Sequence, residues 1–450
     1  VSAPTKTSST RTHRSPTSLV GPGGPIGRLL PEASIAELVQ ELVGKDVPVA
    51  FEAYDGSATT PAQAAARIRI TSPNVLKRLI ASPDQLGLAR AYAAGELDVE
   101  GDIYAALSIR DRVPEVHVRP AQWASAVRMA LAGGWRLPPP APGEARLRGR
   151  VHSRARDAAA ISHHYDVSND FYRLFLGPSM TYTCALWHSP DVGVDAAQAA
   201  KHELVCRKLG LQPGMRLLDV GCGWGGMSIH AALHHGVHAV GVTLSRRQAE
   251  WGQKAVADAG VADRVEIRHQ DYRDVDDGPY DAIASIGLIE HVGSEQLAGY
   301  ARHLYDLLRP GGRLLNHGIA TQPKSPARLR RLGRFASRRR AFLYRFVFPD
   351  GELMEVGKVV SGLQEAGFEA RHLESLREHY ALTLRAWVDN LEGHWDEAVA
   401  EVGEARARIW RLYMAGSVLS FESGDSNLYQ VLAVKPDGAR SGLPLRPVFE

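Results

Sequence analysis

A glycine-rich loop set directly behind a short apolar run constrains this chain more than any other feature. Residues 216–230 read Arg-Leu-Leu-Asp-Val-Gly-Cys-Gly-Trp-Gly-Gly-Met-Ser-Ile-His. The apolar run has the length of a buried strand and ends near Asp219. Gly221, Gly223, Gly225 and Gly226 follow, and a helical pattern then begins. Glycines let the backbone turn tightly and approach a ligand at a helix N-terminus, where N–H groups are free. Gly221, Gly223 and Gly226 also satisfy the dinucleotide pattern GxGxxG. That reading needs a carboxylate about 20 residues on, at the end of the next strand. The next strand runs through His238 and ends in Thr243-Leu244-Ser245, with no acid. The missing acid lowers the reading as a nicotinamide oxidoreductase, and a strand–Asp–Gly-x-Gly-x-Gly loop more often marks an S-adenosylmethionine site.

From about residue 157 to 436, apolar strand-like runs alternate with helical stretches. This predicts an α/β fold with a parallel sheet and crossover helices. A strand at Arg264–Arg268 leads to Gln270-Asp271-Tyr272. The strand from Ala282 stops at Gly287, and Glu290 and His291 follow its C-terminal end. A further strand delivers His317 to the same edge, where open α/β sheets bind ligands.

The rest of the 450-residue chain divides by composition. Residues 1–31 are rich in Ser, Thr, Pro and Gly and lack acids, which predicts a disordered tail over a transit peptide. Residues 32–132 predict a small α+β domain. Helices are expected at Ile35–Val43, Val75–Ile80 and Gln85–Ala94, with strands at Val47–Ala53 and Ala66–Ile70. Residues 133–156, Pro- and then Arg-rich, read as a semi-rigid linker. Residues 437–450 read as a C-terminal tail. The cysteines are Cys184, Cys206 and Cys222. An odd, sparse set argues against a disulfide framework and fits a reducing cytosol. No four-ligand zinc spacing appears, so no metal is expected. No apolar run reaches the ~18–20 residues of a spanning helix.

Several motifs together resemble the cyclopropane fatty-acid synthases and mycolic-acid methyltransferases. They are His163-His-Tyr-Asp-Val-Ser-Asn-Asp-Phe-Tyr, Met180-Thr-Tyr-Thr-Cys-Ala-Leu-Trp, the loop at Leu218, Thr243-Leu-Ser-Arg-Arg-Gln, Ser285-Ile-Gly-Leu-Ile-Glu-His-Val-Gly and Arg309-Pro-Gly-Gly. Tyr92-Ala-Ala-Gly-Glu-Leu-Asp-Val-Glu-Gly-Asp is similar to the N-terminal domain of the longer, phospholipid-acting members. The resemblance implies a Rossmann-like class I S-adenosylmethionine-dependent methyltransferase catalytic domain over residues 157–436. It implies cofactor contacts from Tyr182, Thr183, Asp219, Gly221, Gly223, Gly225, Thr243, Leu244, Ser245, Gln248, Gln270, Asp271, Tyr272 and Ile286. It also implies a bicarbonate cradle made by Cys184, Glu290, His317, Ile319 and Tyr380. The implied reaction adds a one-carbon unit to the cis double bond of an unsaturated phospholipid acyl chain such as oleoyl. A carbocation forms and bicarbonate removes a proton. Tyr165, Tyr182 and Trp224 are candidate aromatic walls for that cation. One outcome is a methylene branch, saturated later by a separate NADPH- or flavin-dependent reductase. The other is ring closure to a cyclopropane. Asn316-His317-Gly318-Ile319 departs from the family's commoner Leu-His-Thr-Ile and is similar to the subgroup that makes methyl-branched chains. A homodimer is expected from the longer members.

Charge adds an expectation about partners. Residues 322–348 hold Lys324 and eight arginines with no acid. Leu329, Leu332, Phe335, Phe342 and Phe346 fall near one helical face. A basic amphipathic helix of this kind predicts docking on an anionic phospholipid surface, at the inner face of the cell membrane. No nucleic-acid module is present. The formal total is +3, but residues 1–31, 133–156 and 322–348 carry +4, +5 and +9, which leaves −15 on the remainder.

Overall fold

The computed structural model describes residues 34–44, 46–61, 63–82, 84–111, 136, 138–145, 153–165, 167–322 and 342–449. The first unit holds a three-stranded sheet, β1 (Val49–Ala53), β2 (Ala66–Ile70) and β3 (Leu97–Gly101). β1 and β2 are parallel, and β3 lies antiparallel to β2. The helix Ile35–Val43 starts where expected because Ser34 and Glu37 form a capping box. The next two helices span Asn74–Ala81 and Gln85–Ala93. β3 was not anticipated. It is only partly buried, so its apolar signal is weak.

Seven strands form the larger sheet: β4 (Arg216–Val220), β5 (His238–Thr243), β6 (Val265–His269), β7 (Tyr280–Ile286), β8 (Leu308–Thr321), β9 (Glu369–Ser375) and β10 (Ser426–Val434). Their order is β6-β5-β4-β7-β8-β10-β9. The first five are parallel, and β10 runs antiparallel between β8 and β9. Leu217, Leu218 and Val220 of β4 are buried on both faces, as a central parallel strand requires. The strand order reverses at β4 and β7, so the loop after β4 opens at the crevice where such sheets take ligands. Register then aligns three chemical positions: Ile286 lies beside His317, and His317 beside Gln430.

The two departures on β8 have packing reasons. Asn316 is buried, and its Oδ1 accepts from the Tyr300 hydroxyl at 2.8 Å, with Ser285 Oγ 2.7 Å from the same hydroxyl. Tyr300→Phe strands these buried polar groups and is expected to cost about 1–3 kcal/mol, read as a lowered melting temperature. At Gly318, a Cβ would lie 2.2 Å from Ile289 Cγ2. The methyl of Ile289 fills the space that a threonine side chain would need.

The small unit docks on the long helix Glu404–Glu422. Arg408 of that helix bonds Asp98 at 2.8 Å, and Arg411 reaches the backbone carbonyl of Val99 at 3.2 Å. The end of the stretch read as linker is helical, since a helix spans Arg154–Tyr165. In that helix, Arg154 pairs with Asp274 at the surface and Arg156 pairs with the buried Asp350. Glu144 bridges Arg90 of the small unit and Arg345. The stretch read as a C-terminal tail packs down at its end, with Phe449 against His372 at 5.1 Å between ring centres.

Of the basic amphipathic stretch, Lys324 and the arginines from Arg328 to Arg340 lie outside the described residues. The described end corrects part of that expectation. Phe346 is buried in the main aromatic core and Phe342 packs against it, so neither forms an outward apolar face. Apolar burial against neighbouring helices wins over exposure to a lipid surface here. Among the described residues, no helix is long and apolar enough to cross a membrane.

Candidate active site

A cavity of about 370 Å³ opens at the crevice. Its lining includes Tyr182, Thr183, Asp219, Gly221, Gly223, Thr243, Leu244, Gln248, Gln270, Tyr272 and Ile286, all expected as cofactor contacts. Gly221 adopts φ 78°, a left-handed conformation that favours glycine. Three expected contacts lie behind this lining. Ser245 is buried and caps the helix Arg246–Asp258 by accepting from the Gln248 N–H. Gly225 is the turn residue before the helix Gly226–His235, and Gly226 faces the cavity instead. The Asp271 carboxylate is taken by Arg273, at 2.6 to 3.0 Å, and it is Arg273 that faces the cavity. Arg273 thereby supplies the charge-assisted hydrogen bonds that this carboxylate accepts.

The cavity floor is electrostatically tense. Asp219 is 2% exposed and accepts from Ser228 Oγ at 2.9 Å. Burial pushes its carboxyl up to about 6, even though Ser228 and nearby Lys201 favour the ionised form. Lys201, buried in the same floor, donates to Thr183 Oγ1 at 3.1 Å. Burial pulls its ammonium down to about 7. S-adenosylmethionine is a net cation, so an ionised Asp219 favours it and a protonated one does not. Affinity is therefore expected to rise between pH 5 and 7, with a slope approaching tenfold per unit below about 6. Calorimetric titrations across that range check this, and Asp219→Asn should flatten the dependence.

None of the five cradle residues lines this cavity, although Cys184 follows the lining residue Thr183, Glu290 precedes His291, and His317 pairs with Ile286. Glu290 enters on a short turn of helix, Ile289–Val292, directly after β7. Its Oε1 accepts the Ile319 N–H at 2.7 Å, and its Oε2 is buried without a partner. Desolvation pushes the carboxyl up to about 7. His317 is buried on β8. Lys208 Nζ donates to Gln430 Oε1 at 2.7 Å, so the Gln430 amide N–H faces His317 Nδ1 at 3.2 Å. That contact makes Nδ1 the acceptor and leaves the proton on Nε2, which is also buried without a partner. Burial holds the imidazole well below its ordinary pKa, hence neutral. Cys184 is fully buried, with its thiol turned toward backbone carbonyls and pushed up by burial, so it is no nucleophile. Tyr380 packs against Phe421 at 4.8 Å and sits in the aromatic core.

That core is larger than the sequence indicated. Tyr182 lies 5.2 Å from Trp387, 5.6 Å from Tyr172 and 5.8 Å from Trp410, between ring centres. Trp224 is 4.8 Å from Tyr172. The side chain of Tyr165 lies outside the described residues. Tyr172, Trp387, Trp410 and Tyr413 were not anticipated as walls. Tyr413 accepts from the Tyr182 hydroxyl at 2.9 Å. The i, i+3 spacing of Trp410 and Tyr413 on one helix was the signal available for two of them. Lys201 was also missed. Its signal was a lysine at helical spacing between the buried Ala197 and Val205.

The fold and the loop define a Rossmann-like methyltransferase that uses S-adenosylmethionine. Residues 152–431 match the mycolic acid cyclopropane synthetase family. The chain belongs to that family. It is 45% identical over 417 residues to a probable fatty acid methyltransferase of Mycobacterium tuberculosis, covering 90% of this chain and 95% of the relative. A probable fatty acid methyltransferase of Pseudomonas putida is 39% identical, with coverage of 89% and 95%. The solved cyclopropane synthase MmaA2 from Mycobacterium tuberculosis is 33% identical with a TM-score of 0.58, covering 63% of this chain and 99% of that one. Mycolic acid cyclopropane synthase CmaA1, solved with SAH and CTAB, is 34% identical with a TM-score of 0.57, covering 61% and 97%.

Proposed function

We propose that this enzyme adds a one-carbon unit to the cis double bond of unsaturated phospholipid acyl chains, such as oleoyl, and leaves a methylene branch. One observation carries the reading: Glu290 Oε2 and His317 Nε2 are buried without a hydrogen-bond partner, while Cys184, Ile319 and Tyr380 of the same expected set belong to or pack against the aromatic core. An alkene is a weak nucleophile, so it must be held in line with the methyl sulfonium. Attack on the methyl carbon releases the thioether and leaves a carbocation on the chain. Tyr182, Trp387 and Trp410 exclude water and offer π faces to positive charge.

Glu290 and His317 fit a bound bicarbonate. A neutral His317 presents an N–H at Nε2, and a carboxyl raised toward 7 keeps a proton to donate through Oε2. Both donors suit an oxyanion, and the Ile319 N–H holds Glu290 in place. Bicarbonate, when bound, supplies a base beside the reacting carbon. Loss of a proton from the transferred methyl after a hydride shift gives the methylene branch. The same loss with bonding to the cationic carbon gives a cyclopropane. The resemblance at Asn316–Ile319 favours the branch, and a separate NADPH- or flavin-dependent reductase would then saturate it.

The test incubates the protein with S-adenosylmethionine and oleoyl phospholipid vesicles and analyses the fatty acids after chemical cleavage of double bonds. The branched product cleaves and the ring does not. A ring product would overturn the branch assignment, and no one-carbon gain would overturn the reading. The reading extends to an anionic bilayer at the inner face of the cell membrane, met through the stretch from Lys324 to Arg340, and to a homodimer. Flotation with anionic vesicles, lost on charge reversal of those arginines, checks the first; sedimentation checks the second.

A further inference from the structure

Away from the cavity, two helices bring a different set of side chains together. Val194–Leu209 contributes Glu203 and Cys206, three residues apart and hence on one helical face. Gly226–His235 packs against it and contributes His230 and His235. One ligand atom from each of Cys206, His230 and His235 lies within 4.8 Å of the others. Cys206 is fully buried and both imidazoles are partly buried. Glu203 Oε2 contacts His235 Nε2 at 3.0 Å and His230 Nε2 at 3.4 Å, while its Oε1 is anchored by Arg207 at 2.8 Å.

We propose that Cys206, His230 and His235 bind a divalent transition metal of the zinc class, with Glu203 as the carboxylate that orients both imidazoles. Ligand atoms around zinc sit about 2.0–2.3 Å from the ion, so neighbouring ligands lie about 3.3–3.7 Å apart. The three atoms, within 4.8 Å of one another, have to draw together by about an ångström to reach that spacing. One thiolate with two imidazoles is a borderline-soft set that favours zinc, cobalt or copper over magnesium or calcium. A carboxylate against ligating histidines is the usual outer partner in such sites. Linear spacing concealed the set because its members come from two helices joined through β4 and the glycine loop. The ion would clamp the helix that follows that loop to the helix that carries Lys201. Binding releases the Cys206 thiol proton.

The experiment uses the full chain after chelator treatment, titrated with Co²⁺ and followed by absorbance. One equivalent should give tetrahedral d–d bands and a thiolate-to-cobalt charge-transfer band. Cys206→Ser should abolish the charge-transfer band, and Glu203→Gln should weaken affinity about 10–100-fold. His235→Gln, at a partly buried ring, serves as a second variant if Cys206→Ser misfolds. One equivalent of Zn²⁺ should displace the cobalt and raise the melting temperature. Absence of the charge-transfer band in the parent protein overturns the proposal. So does its survival in both ligand variants, which would mean that another thiol holds the ion.

Discussion

Glu290→Gln is expected to lower turnover by about 10²–10⁴-fold, the range for loss of a positioned proton-handling group, while S-adenosylmethionine still binds normally. The substitution keeps the side-chain oxygen that accepts the Ile319 N–H. It replaces the acidic O–H that would donate to bicarbonate with an amide N–H that cannot pass a proton. The same variant carries a stability signature with a definite sign. The folded protein raises this carboxyl from 4.5 to about 7 by burial. Its favourable contribution is complete below 4.5 and is lost as pH climbs through 7, because the unfolded chain ionises first. A neutral amide does not incur that loss. Glu290→Gln should therefore be more stable than the parent at pH 8, by an amount on the order of 1–3 kcal/mol, and nearly equal to it at pH 4.5. Denaturant titrations at the two pH values measure this. A variant that is both inactive and stabilised at high pH marks a residue kept for chemistry at a cost in stability. Full activity would remove Glu290 from the reaction.

The second large effect is expected at Gly318. Gly318→Thr restores the commoner family residue, yet it should damage this protein. The new Cβ would meet Ile289 Cγ2 at 2.2 Å. Ile289 is buried and β-branched, so its methyl has few alternative rotamers. Overpacking of this kind costs about 1–3 kcal/mol. Relief by moving the turn Ile289–Val292 would displace the neighbouring Glu290, and a shift near 1 Å at a reacting group costs about 10²-fold in rate. Adding Ile289→Ala should recover stability and much of the turnover. Comparison of kcat and melting temperature for the single and double variants decides it. Unchanged values in Gly318→Thr would show that the turn yields freely.

The large sheet was legible because its strands are apolar runs punctuated by glycines. The loop after β4 was legible because close backbone approach leaves few residue choices at Gly221 and Gly223. Ile286 and Glu290 could be placed at one edge because they end and follow β7, whereas His317 reaches that edge from within β8, which runs on to Thr321. Contacts made across the chain could not be read in the same way. Asp271 looked available until Arg273 was seen to hold it. Trp387 and Trp410 come from helices separated in sequence, and nothing local shows that they meet Tyr182. The tautomer of His317 depends on Gln430 and Lys208, which lie 113 and 109 positions away. The basic stretch misled at its end, since the same spacing of Phe342 and Phe346 serves core packing as well as a lipid surface.

The central claim is that the chain's own carbocation loses a proton from the carbon it has just received. A single incubation with S-adenosylmethionine bearing a fully deuterated methyl group, followed by mass spectrometry of the phospholipid acyl chains, tests it most directly. The account predicts a one-carbon gain that retains two of the three deuterium atoms. Retention of all three, or no label in the acyl chain, would contradict it.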